Sequence, residues 1–135
     1  MKALVFDASA LLALLFDEAG AEAVEALMHR ASEKDQPMLM SAVNWAEVCY
    51  RVKNKRGNDA LAQAKQFATN TPIVVVPADR ELSEIAAAYK AADHLGLADA
   101  FAAALAKNRK AEFVTADREF KSVESEIKII WLKNQ

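Results

Sequence analysis

The sequence holds a single cysteine, Cys49, so no disulfide can form within it. Its two histidines, His29 and His94, keep no metal-ligand spacing with each other or with Cys49, which leaves zinc without its usual donors. A long hydrophobic run is also missing. The apolar stretch after Met1 and Lys2 is interrupted by Asp7 and closed by Asp17 and Glu18, too soon for a secretion signal or a membrane span. The chain is therefore expected to be soluble and cytoplasmic, with no membrane partner. A formal net charge of −2 gives no overall pull toward nucleic acid, so such a partner has to be met by local clusters. The sequence has no GxSxG elbow, Walker loop or GxGxxG, and no repeat, linker or low-complexity segment.

What is present fits one domain spanning 1–135. At 135 residues such a domain buries roughly 70% of the surface its unfolded chain exposes, without staples. The stretch Ala3 to Ser9, ALVFDAS, sets apolar residues on both alternating faces before an acid, as a central strand does. Ala10 to Phe16, ALLALLF, reads as a helix that is buried all round or meets a partner. Further helices are expected over Ala21 to Ser32, Val43 to Arg56, Ala60 to Ala68, Asp79 to about Asp93 and Ala98 to Lys107. Ser41 would open the second of these, Gly57 and Asn58 would end it, and Gly96 would end the one after Asp79. Strands are expected at Met38 to Met40, Glu112 to Thr115 and Lys128 to Trp131, with Ile73 to Val76 as a third buried strand. Strands alternating with helices imply an α/β fold, a three-layer α/β/α sandwich with a central, mostly parallel five-stranded sheet.

In such folds ligands bind outside the carboxyl ends of the strands, where the strand order switches. Asp7 ends the first strand, Asp117 follows the fourth by two residues, and Asp99 opens the small-residue helix. Glu47 lies one turn into the helix after the second strand. Singly, each acid has a plain explanation: Asp7 and Asp117 as helix caps, Asp99 as a partner of the helix dipole, Glu47 as an i,i+4 mate of Arg51. Together at one edge they repel unless a cation neutralises them, and an all-oxygen set suits magnesium or manganese. A cation held so, facing solvent, acidifies water and stabilises charge on a phosphoryl oxygen, which is the chemistry of phosphodiester hydrolysis. Ser9 and Thr115, each two residues from an acid, are placed to bond ligands or a water, with backbone capping as the ordinary alternative. Arg51, Lys53, Lys55 and Arg56 fall within six residues and are the candidate grip on a nucleic-acid backbone, unless they only complement a helix C-terminus.

Four pieces, VFDASAL around Asp7, SAVNWAEV around Glu47, LGLADAFAAALA around Asp99 and FVTADREF around Asp117, occur in an order that resembles the PIN domain family. Within it they are similar to the VapC-type toxins of toxin and antitoxin pairs. The resemblance spans nearly the whole chain. It implies a PIN-like fold and a magnesium- or manganese-dependent endoribonuclease that cuts cellular RNA until a cognate VapB-like antitoxin neutralises it. It also implies a homodimer. Asp7, Glu47, Asp99 and Asp117 would then be the catalytic acids, with Asp7, Asp99 and Asp117 around the metal, Glu47 completing the pocket or orienting water, and Thr115 as an accessory hydroxyl beside Ser9. Leu11 to Phe16, Met28 and Trp45 are candidate surfaces for pairing or for the antitoxin, against a default of core packing. Two other classes compete. A haloacid-dehalogenase-like phosphohydrolase also uses an Asp after the first strand but wants a second Asp two positions on, where Ser9 stands. A PIN-fold binding module would hold the acids without a productive metal.

Overall fold

The computed structural model describes residues 1–133. Its strands are β1 (Leu4–Phe6), β2 (Met38–Ser41), β3 (Ile73–Val76), β4 (Glu112–Thr115) and β5 (Ile129–Trp131). They form one sheet in the order β3-β2-β1-β4-β5, with every neighbouring pair parallel. Parallel neighbours need crossovers, and the helices supply them: α1 (Ala8–Leu15), α2 (Ala21–Glu33), α3 (Ala42–Thr69), α4 (Arg80–Asp93) and α5 (Leu97–Asn108). A short 3-10 helix (Arg118–Val123) links β4 to β5.

Side chains alternate across the strands, and this sorts the core into two layers. Leu4, Phe6, Met38, Met40 and Val114 face α1, α2 and the first half of α3, through Leu12, Val24, Val48 and Val52. Val5, Leu39 and Phe113 face α4 and α5, through Leu82, Ala86 and Leu105. The run Ala100 to Ala106 is buried throughout, because alanines let α5 lie close to α4, the sheet and α3 at once. β1 is the middle strand, so the chain turns to one side of it for β2 and β3 and to the other for β4 and β5. That switch of direction opens a crevice at the carboxyl ends of β1 and β4.

The structure corrects several expectations. Ile73 to Val76 is an edge strand rather than a buried one: among the described residues no strand pairs with its outer side, and Val74 is 56% exposed and Val75 37%. The five-stranded sheet itself is as expected, and its parallel pairing extends to every neighbouring pair. Leu11, Leu12 and Met28 lie in the core, with Trp45 packed against it, so they offer little outward surface. The two helices expected on either side of Gly57 run on as α3, broken only where Gly57 takes φ 88° and ψ −174°. His94, in the left-handed region, ends α4, and Gly96 instead precedes α5.

Candidate active site

Asp7 leaves β1 in extended backbone and caps α1, accepting from the Ala10 N–H at 3.0 Å. It is 2% exposed, and two hydroxyls complete its shell: Ser9 Oγ donates to Oδ1 at 2.7 Å and Thr115 Oγ1 to Oδ2 at 2.6 Å. Each hydroxyl has one proton, so both are committed to Asp7 and the 3.3 Å approach of the two oxygens carries no bond. Their lone pairs turn to the backbone instead. Ser9 Oγ accepts from the Ala116 N–H, and Thr115 Oγ1 from the Asp117 N–H, each at 3.0 Å. Capping and site-building are therefore the same set of bonds, which join the end of β1 to the end of β4.

Asp117 in turn caps the 3-10 helix, accepting from the Glu119 N–H at 2.9 Å. That turn is pinned from below by Phe120, whose ring meets Phe113 edge-on with centroids 4.7 Å apart. It is held at the side by Arg118, which donates to the Leu132 carbonyl at 3.0 Å and lies 4.7 Å over the Trp131 ring. Across the crevice Asp99 stands in the first turn of α5. Oxygens of Asp99, Asp117 and Glu119 lie within 4.8 Å of one another, a group that could hold a metal ion. Asp7 is outside that group, its oxygens already bonded. Sequence reasoning misses Glu119. Its only signal is its place two residues after a capping Asp, where the cap bond sets two carboxylates side by side.

The electrostatics agree with crowding. Burial pushes Asp7 from 3.8 up to about 6 despite the three donors, with the Asp117 charge a smaller contribution in the same direction. Asp99 rises to about 7, from burial first and then from the charges of Asp117, Asp7, Glu47 and Glu119. Glu47 faces the same crevice from α3 but is tied to Arg51 at 2.9 Å, the i,i+4 pair its spacing allows. Oxygen donors that repel one another, partly desolvated, are the set a hard divalent cation relieves, so these residues fit magnesium or manganese.

Among the basic residues, Arg51 and Lys55, one turn apart, line a cavity with Ser9. The Lys55 ammonium lies 4.4 Å over the Phe16 ring and the Arg56 guanidinium 4.8 Å from it. Lys53 is exposed and does not line that cavity, because a two-residue step on a helix turns it to another face.

A parallel sheet with an acidic oxygen site at its switch point defines the class, and comparison with known proteins gives the family. The PIN domain model matches residues 4–126, and the chain belongs to that family. VapBC2 from Rickettsia felis, bound to a promoter DNA fragment, is similar at a TM-score of 0.81 and 11% identity, covering 97% of this chain and 99% of that one. VapBC from Salmonella typhimurium, also DNA-bound, gives 0.74 and 18%, covering 96% and 98%. VapC20 of Mycobacterium tuberculosis, a sarcin-ricin loop cleaving toxin, gives 0.72 and 18%, covering 90% and 95%. At these identities the likeness is one of fold. No curated protein matches the chain by sequence.

Proposed function

We propose that this PIN-domain chain is a VapC-type toxin, a magnesium- or manganese-dependent endoribonuclease neutralised by a cognate VapB-like antitoxin. The observation that carries the reading is the convergence of Asp99, Asp117 and Glu119 oxygens within 4.8 Å, beside Asp7, at the switch point of a PIN fold. The similar folds of toxin and antitoxin proteins support the biological setting.

A divalent ion bound there would supply a more acidic water and charge stabilisation at the phosphoryl oxygen. Asp99, Asp117 and Glu119 are the residues that would hold it. Asp7, fixed by three donors, supplies the negative potential behind them and keeps Thr115 and Ser9 in one orientation. Glu47 holds Arg51 over the crevice, where the guanidinium and Lys55 meet RNA phosphates. Ser9, bonded to Asp7, offers no carboxylic acid at that position, which disfavours the haloacid-dehalogenase chemistry.

Pairing of two copies belongs to this reading, and the large apolar side chains it would draw on are Tyr50, Val74, Val75 and Leu97. Among the described residues no helix is long and apolar enough to cross a membrane. A cytoplasmic location remains part of the proposal, since RNA is the substrate.

The test is cleavage of single-stranded and structured RNA by the purified chain with magnesium, with manganese and with EDTA. Cleavage should need the ion and fall by at least about a hundredfold in Asp99→Asn. Cutting that survives in EDTA, or an Asp99→Asn protein as active as the parent, would refute the metal-dependent reading. A folded chain that binds RNA and never cuts it would support the binding module.

A further inference from the structure

Two cavities open beside the hydrogen-bonded shell of Asp7, both with Ser9 and Glu18 in their walls, and Asp117 of the acid cluster lines the second. The first, about 430 Å³, is lined also by Phe16, Arg51 and Lys55; the second, about 370 Å³, by Gly20, Asp117 and Lys133. α1 is the ridge between them, with Leu12 lining one side and Ala13 the other. Both sit at the small end of ligand sites, roughly 300–1,000 Å³, which suits a single nucleotide better than a helix.

Charge along this path alternates in a way that fits a nucleic acid strand. Each cavity has a lysine in its wall, the wall they share holds Glu18, and Asp117 lines the second. Lys55 is held by an aromatic ring rather than by an acid, so its full charge stays available, whereas Arg51 is partly neutralised by Glu47. Phosphates on either side of a central one would therefore meet Lys55 and Lys133.

Glu18 is out of place on such a path unless it faces something other than phosphate. A carboxylate only accepts hydrogen bonds, so its partner must be a donor on a base or a ribose. Guanine alone offers two adjacent donors, N1–H and the N2 amino group, matched to two carboxylate oxygens. Uracil has one, while adenine and cytosine place a ring acceptor beside their amino group. Unstacked bases of single-stranded RNA are the ones whose Watson–Crick edges can be read this way.

We infer that the two cavities are adjacent nucleotide subsites for single-stranded RNA crossing α1, and that Glu18 selects guanine beside the phosphate that is cut. This rests on the nuclease reading above and names its substrate.

The test is cleavage of a randomised single-stranded RNA pool by the full chain with manganese, with the cut sites sequenced. The parent should enrich guanine at one position next to the cut by at least about fivefold, the low end of what a paired hydrogen bond discriminates. Glu18→Gln should bring that ratio below about twofold while cutting continues. Lys133→Ala should slow cutting at all sites alike and lower the salt dependence of RNA binding, measured in EDTA, by roughly 0.7 in log–log slope. Guanine enrichment that is absent, or that persists in Glu18→Gln, would overturn the assignment and leave the nuclease standing. If Lys55→Glu and Lys133→Glu change neither cutting nor salt dependence, the groove serves another occupant, such as a protein tail, and the proposal falls. A chain that cuts no RNA at all sinks the nuclease reading first, an outcome distinct from either of these.

Discussion

Asp7 and Asp99 carry the same group into different surroundings, and the difference sets what each will do when titrated. Asp7 is desolvated but given three donors; Asp99 is desolvated and given like charges. Both hold protons more tightly in the folded chain than the ordinary carboxylate value of 3.8 allows, up to about 6 and about 7. The native state therefore binds protons that the unfolded chain has released, and the stability of the metal-free protein falls as pH rises through that window. Thermal melts in EDTA should give a higher midpoint near pH 5 than near pH 8. With manganese present the trend should reverse, since the ion requires the acids ionised; a midpoint indifferent to pH in both buffers would contradict the crowding. Asp99→Asn removes one of the repelling charges and one proposed metal ligand together. It should raise the metal-free midpoint by a few degrees and abolish the further rise on adding manganese.

At the scale of elements, α3 depends on one glycine. Gly57 has φ 88° and ψ −174°, a region open almost only to glycine, yet a Cβ placed there would meet nothing within 4 Å. Gly57→Ala should therefore cost about 1–3 kcal/mol from backbone strain alone, read as a lower denaturant midpoint with an unchanged slope. Gly57→Asn should not rescue it, because asparagine tolerates the left-handed helical region and not this one. The 3-10 helix depends on Phe120 in the same way. Phe120→Ala should cost about 3–5 kcal/mol and weaken metal binding too, since it releases the turn that carries Asp117 and Glu119.

Much of this architecture is legible in the sequence, and the reasons are local. ALVFDAS announces a strand covered on both faces, and the alternation of helix and strand leads to the parallel sheet. Asp7, Asp99 and Asp117 can be placed at one edge because each follows a strand or opens a helix. The edge position of Ile73 to Val76 is not legible, since a β-branched run looks the same wherever it sits and burial depends on what lies beside it. Glu119 is hidden for a related reason. Its partner Asp99 lies far away in sequence, and the two meet only because Phe120 seats the intervening turn.

For the whole molecule, a net charge of −2 means that the RNA of the proposed reaction would have to be held against the average field by a few cations. Neutralising Arg51 and Lys55 should weaken RNA binding and flatten its salt dependence by roughly 0.7 for each phosphate left without its cation. Lys53, turned to another face, should contribute little, and equal effects from all three would mean a diffuse surface rather than a groove.

Asp7 also links the β1 and β4 ends of the sheet through bonds that end on the backbone N–H groups of Ala10, Ala116 and Asp117. None of these can be freed while Asp7, Ser9 and Thr115 keep their places at the seam. Their amide hydrogens should therefore exchange with deuterium only as the entire molecule opens, as slowly as those of Val5 and Val114. The floor of the crevice would then be among the last parts of the protein to loosen.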